Sequence, residues 1–198
     1  MRIRVVLATI LVCSFALRLW GTGFGLPAFT HYHPDEHALV DRATSILQTG
    51  DWSPVRFNYP PLYAYVQVGG LAASFLLGRA FGWWDGMPPD YPLPHYFQVA
   101  RGTTALIGTL TVLVVYRAGR AFMSSRASFL AATLLGSNYL HITHSHYATL
   151  DVAAGFWTAL CLCFSFAWWR RGGVTRGLVA GLCAGLAGAV KYNAALVA

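Results

Sequence analysis

The chain reads as an all-α integral membrane protein, a multi-span helical bundle, and three observations predict it. Of 198 residues, 56% are hydrophobic and 11% charged, whereas soluble domains carry about 25% charged residues. Apolar runs near twenty residues recur, the length that crosses ~30 Å of hydrocarbon. The arginines fall in short clusters between those runs, as charges that orient spans do. The net charge of +7 is therefore an orienting charge and no sign of a nucleic-acid partner.

The first span is predicted over about 3–20, behind Arg2 and Arg4. Arg18-Leu19-Trp20 follows with no small-residue cleavage site, so the segment reads as an uncleaved anchor. A polar and aromatic loop occupies 21–96. Inside it an amphipathic helix is predicted over about 34–48. Pro34 suits the first helical position and Gly50 the C-terminal cap. Leu39, Ala43, Ile46 and Leu47 share one face, which Asp35 and Glu36 bracket while Asp41 points away. A second, apolar helix is expected over about 61–81. Further spans are expected over about 97–117, 126–145, 150–169 and 177–198. In the last, Gly177, Gly181 and Gly185 form a small-residue ridge of the kind that packs helices in lipid. Cys13, Cys161, Cys163 and Cys183 all lie in apolar segments and show neither a disulfide framework nor zinc spacing. The sequence stops at Leu196-Val197-Ala198, inside an apolar run, and reads as the truncated, N-terminal part of a longer protein.

Charge sets the topology. If every segment crossed, with the N-terminus cytoplasmic, Arg117, Arg120 and Arg126 in one loop and Arg170, Arg171 and Arg176 in another would lie outside, against the positive-inside rule. Laying 61–81 along the outer surface reverses the parity. Both arginine-rich loops then join the N-terminus in the cytoplasm, and all seven acids (Asp35, Glu36, Asp41, Asp51, Asp85, Asp90 and Asp151) lie outside.

Four constellations carry candidate chemistry. Asp35 and Glu36 sit together at a helix start beside the membrane. Acids in a first turn favour the helix dipole; a carboxylate partly desolvated at the interface also suits a general base. Asn58-Tyr59-Pro60-Pro61 is either a rigid turn with an aromatic anchor or part of a site. His141, His144, His146 and Asp151 cluster at a helix boundary. Three histidines and an acid are compatible with a divalent metal, though no close pair shares one helix face and nothing in the sequence requires a metal or other cofactor. Lys191, the only lysine, falls roughly 22 Å along its helix from Arg176, with Arg101 and Arg18 near the same depth. Cations inside spans are costly and mark function by default, though snorkelling to the interface is the bland account. Three of them together suit a phosphate.

These residues resemble a known family. Pro34 to Trp52 with Tyr59-Pro60-Pro61-Leu62 is similar to the first outer loop of polyprenyl-phosphate-dependent glycosyltransferases. That group, glycosyltransferase family 39 and its relatives, contains the protein O-mannosyltransferases and lipid A aminoarabinose transferases, and has the GT-C fold. Arg101, His146 to Asp151, and Gly188 to Tyr192 also resemble its pattern. Where members often carry a charged residue or His directly before Pro-Pro, this chain has Asn58 and Tyr59. The resemblance implies an inverting enzyme that moves a sugar from a polyprenyl-phosphate donor to a hydroxyl acceptor on a protein, lipid or glycan. It implies Asp35, beside Glu36, as catalytic base, Asp151 as a second acid lining the site with His146 and Tyr59, and Arg101 and Lys191 at the donor phosphate. It places the chain in the plasma (inner) membrane with its active site outside. A transporter or flippase of lipid-linked substrates is the alternative; it accounts for the buried cations but not for the interfacial acidic helix.

Overall fold

The computed structural model describes residues 2–26, 33–54, 58–83 and 93–197; Asp85 and Asp90 lie outside the described residues. Eight α-helices are described, in chain order α1 Arg2–Trp20, α2 Pro34–Thr49, α3 Leu62–Ala80, α4 Leu93–Phe122, α5 Ser125–Gly136, α6 Tyr139–Ser145, α7 Leu150–Arg171 and α8 Val174–Val190, followed by a 3₁₀ segment, Tyr192–Val197. No strand occurs among the described residues. Among the described residues three helices are long and apolar enough to cross a membrane: Ile3–Trp20, Pro94–Phe122 and Leu150–Arg171. The chain is an all-α membrane protein. The apolar α3, 19 residues long, is not one of the three.

Two segments drawn as continuous spans are broken. The segment predicted over 126–145 divides at Ser137-Asn138 into α5 and α6. Asn138 starts the new helix by accepting the His141 backbone N–H at 2.9 Å, which diverts the backbone from continuing α5. The guanidinium of Arg18, fully buried, donates from Nη1 to the Gly136 carbonyl at 3.0 Å and from Nη2 to that of Leu135 at 3.4 Å. It thereby caps the open end of α5, where the helix dipole favours a cation. Gly108 on α4 makes room for this packing: a Cβ there would stand 2.6 Å from Ser145 Oγ and 2.9 Å from Arg18 Nε.

The segment predicted over 177–198 stops at Val190. Lys191 is extended (φ −147°, ψ 121°), and the 3₁₀ segment folds back so that Ala195 lies against Gly188. Only the first residue of the glycine ridge meets the neighbouring helix: a Cβ at Gly177 would stand 3.1 Å from the Trp168 ring of α7. Gly181 and Gly185 face open space, and α8 buries Ala180, Cys183, Ala184 and Ala187 instead, with Cys183 and Ala184 packed with Cys161 of α7.

The amphipathic reading of α2 matches its environment. Leu39, Ala43 and Ile46 are buried, each larger side chain contributing about 1.5–3 kcal/mol, and Leu47 packs against them. His33 caps the helix, its Nδ1 accepting the Asp35 N–H at 3.3 Å, and Gly50 closes it in the left-handed conformation (φ 71°), which glycine adopts without penalty. One buried cluster joins α2 to α3 and α4. A second sets Leu39 of α2 against Tyr63 of α3, Leu150 and Ala153 of α7 and Val190 of α8. A polar thread locks α3 to α4: Gln67 Nε2 donates to the Tyr63 hydroxyl at 2.6 Å and to the Ala100 carbonyl at 3.2 Å, and Tyr63 meets Thr104 Oγ1 at 2.7 Å. Helix α2 is thus wedged over the ends of the long helices.

Candidate functional site

The site grows from the first turn of α2. Consecutive residues on a helix point about 100° apart, so Asp35 and Glu36 cannot share one environment. Glu36 turns inward and is 3% exposed. Its Oε1 and Oε2 accept from Nε and Nη2 of Arg101 on α4, both at 2.7 Å, the bidentate geometry that suits guanidinium and carboxylate. Oε1 also accepts the Ala148 backbone N–H at 2.8 Å. Arg101 Nη1 donates to the carbonyls of Thr22 and Phe24 at 2.9 and 2.8 Å, and the Tyr147 ring lies 5.7 Å from its guanidinium carbon. All three Arg101 nitrogens are therefore spent inside the chain. The pair ties together α2, α4, the segment after α1 and the turn between α6 and α7.

Asp35 is half-buried on the adjacent direction. The Tyr59 hydroxyl donates to its Oδ1 at 2.8 Å, which leaves Oδ2 as the oxygen this bond does not occupy. The Tyr59 hydroxyl is held above the ordinary tyrosine range by that bond first, then by burial and by the negative charges of Asp35 and Asp151. It stays a donor, and both carboxylates lie within electrostatic reach of it.

Asp151 opens α7 and Lys191 closes α8. Lys191 Nζ donates to Asp151 Oδ1 at 2.5 Å, and His144 Nδ1 stands 3.9 Å from Oδ2. Side-chain exposures of 38% for Lys191 and 41% for Asp151 set this pair apart from Glu36–Arg101, at 4% and 3%. The Lys191–Asp151 pair is half-buried and less enclosed than Glu36–Arg101. Thr149 starts α7 but makes no side-chain cap, and its buried hydroxyl has no hydrogen-bond partner. The break in α8 is what frees Lys191 from a helical register and turns it towards Asp151.

The histidine run does not converge. His141 Nδ1 is 2.9 Å from Arg18 Nη2, His146 Nε2 is 3.1 Å from the Leu17 carbonyl, and only His144 approaches Asp151. Among the described residues no group of three or more His, Cys, Asp or Glu is placed to hold a metal ion. Arg18, set beside Arg101 and Lys191 in the sequence reading, serves α5 and has no carboxylate hydrogen-bond partner among its contacts.

Three contributors escaped the sequence: the Ala148 N–H, the Thr22 and Phe24 carbonyls, and His33 as cap. The first two are backbone atoms, which no residue type announces. His33 directly before Pro34 at a helix start was the available signal for the third.

Asp35, Glu36, Asp151, Arg101, Lys191 and Tyr59 thus gather where α2 meets the start of α4, the start of α7 and the end of α8. The opposite ends of the long helices carry Arg117, Arg120, Arg126, Arg170 and Arg171, all exposed, with Arg170 Nη1 donating to the Ala121 carbonyl across the two loops. The protein is thus all-helical and membrane-embedded, with the acids among its described residues grouped at one end of the bundle. A family model for dolichyl-phosphate-mannose-protein mannosyltransferase matches residues 59–198, well over half of the chain, and the chain belongs to that family of membrane glycosyltransferases. Tyr59, Arg101, His146, Asp151 and Lys191 fall within the match; Asp35 and Glu36 precede it. No curated protein and no solved structure matches the chain.

Proposed function

We propose that the chain is an inverting mannosyltransferase that moves a sugar from a polyprenyl-phosphate donor to a hydroxyl acceptor at the outer face of the membrane, with Asp35 as the base. The observation that carries the reading is the division of labour between neighbouring carboxylates: Glu36 is consumed by a buried ion pair, while Asp35 is half-buried and, among the described residues, its carboxylate is held by one hydrogen bond, on Oδ1.

The acceptor O–H gives its proton to Asp35 Oδ2. The acceptor oxygen attacks the anomeric carbon from the face opposite the phosphate. The bond from that carbon to the phosphate oxygen breaks, and polyprenyl phosphate leaves with the electron pair and one more negative charge. The products are a glycoside of inverted configuration, the polyprenyl phosphate and a protonated Asp35. Lys191 leaves Asp151 to meet the charge that grows on the phosphate, the kind of electrostatic stabilisation that usually contributes most to such catalysis. Asp151, released, sits with His144 within reach of Tyr59. Arg101 acts through Glu36: it fixes the turn of α2 that presents the base.

The clustering of every described acid away from the arginine-rich loops supports an outer site with the N-terminus in the cytoplasm. The family supports a protein acceptor and a membrane location. Substitution Asp35→Asn tests the base. Transfer from labelled polyprenyl-phosphate mannose should fall about 10²–10⁴-fold, the usual contribution of general base catalysis, with the protein still folded and inserted. Undiminished transfer in that variant refutes the assignment.

A further inference from the structure

A cavity of about 360 Å³ lies between α2 and α3, outside the catalytic cluster yet joined to it. Its walls include Ala38, Leu39 and Arg42 of α2, Tyr59 and Pro61 of the connecting loop, and Tyr65 of α3. Tyr59 is the shared wall: it lines the cavity while its hydroxyl holds Asp35. The lining is mainly apolar, and Arg42, the one formal charge in it, donates from Nη2 to the Asp51 and Ser53 carbonyls, which builds the rim from its own loop. Neither α2 nor α3 is among the helices suited to cross a membrane, and Ala38 and Asn58 of the wall are exposed.

We infer that this cavity is an acceptor subsite that takes the apolar side chain of a polypeptide residue close to the one whose hydroxyl reaches Asp35. This rests on the glycosyltransferase reading above. The dimensions fit. From Asp35 to Arg42 the helix rises about 10 Å, a length spanned by three residues of extended polypeptide. An acceptor laid along α2 with its hydroxyl at Asp35 therefore sets the next one to three side chains over the cavity. The volume is at the low end for ligand clefts: it accommodates one or two amino-acid side chains but not a long isoprenoid. The prolines and Tyr59 give rigid apolar walls, so a branched aliphatic side chain or proline is favoured over glycine, with little ordering cost to the enzyme.

The test uses the full chain in lipid nanodiscs, with polyprenyl-phosphate mannose and two synthetic peptides. Each peptide carries one threonine, flanked in one by valine and proline and in the other by glycine. Wild type should show a KM at least roughly tenfold lower for the apolar-flanked peptide, the scale set by burying one such side chain. Ala38→Trp, at an exposed position of the wall, fills the cavity and should erase that preference while leaving the donor KM and the rate on the glycine-flanked peptide unchanged. Ser45→Trp, on the same wall, is the second variant and should act alike. Equal effects on both peptides, or no preference in wild type, overturn the subsite. A rise in donor KM overturns it too, since the cavity then belongs to the isoprenoid. Peptide binding measured by fluorescence separates the two readings: if wild type binds the apolar-flanked peptide more tightly and Ala38→Trp abolishes this, while no hydroxyl is ever mannosylated, the subsite stands and the catalytic reading falls.

Discussion

Replacing Arg101 by Met strands Glu36 in the interior. The carboxylate is 3% exposed, and of the three hydrogen bonds it accepts only the one from the Ala148 N–H remains. The carbonyls of Thr22 and Phe24 lose their donor at the same time. Breaking a buried pair by removing one partner costs about 3–5 kcal/mol, which for a chain of this size lowers the melting midpoint by roughly 10 °C. Thermal unfolding in detergent micelles, followed by tryptophan fluorescence, reads the loss. Glu36→Gln combined with Arg101→Met removes both charges, and the double variant should recover part of the stability lost by the single. The difference between the summed single effects and the double is the coupling. Activity provides the discriminating readout. If Arg101 serves only through Glu36, the double variant regains transfer as it regains stability, with the donor KM near wild type. An Arg101→Met protein as stable as wild type but with a donor KM raised tenfold or more refutes this reasoning, because the guanidinium would then be holding the donor and not the fold.

Lys191→Ala should raise the donor KM or lower kcat by roughly tenfold or more while moving the melting midpoint by about 3 °C or less, since its bridge to Asp151 is only half-buried; steady-state kinetics with varied donor checks it. Tyr59→Phe should lower kcat several-fold by releasing Asp35 Oδ1, with donor KM little changed. The Tyr59 hydroxyl, raised in the folded protein above its ordinary value of 10.0, contributes stability that is complete below that value and lost as pH rises through the folded one. A spectrophotometric titration of wild type minus Tyr59→Phe should therefore show a phenolate midpoint above 10. Gly108→Val should destabilise the junction of α1, α4 and α6 by about 1–3 kcal/mol through overpacking against Arg18 and Ser145, measured as a lowered melting midpoint; an unchanged midpoint argues against the close approach.

The helical membrane class and the boundaries of α2 were legible because they depend on local signals: apolar length, the 3.6-residue period, Pro34 and Gly50. The breaks at Ser137-Asn138 and Lys191 were not, because hydropathy records no direction. The break after α5 is stabilised by a distant residue, Arg18, and the one after α8 by the adjoining 3₁₀ segment that folds back on the helix. Asp35 and Glu36 were visible as a pair but not as a contrast. Which of two adjacent acids turns inward depends on Arg101, sixty-five positions away in the chain, and on a backbone amide at Ala148. The histidines illustrate the same limit: closeness in sequence suggested a common ligand, but Arg18 and Leu17 of α1 engage His141 and His146 while Asp151 of α7 faces His144.

Because Asp35 and Glu36 are joined by a single peptide bond, the buried contact of Glu36 with Arg101 also fixes the backbone from which Asp35 projects. On the proposed reading, the base is therefore set in place by the fold before an acceptor arrives.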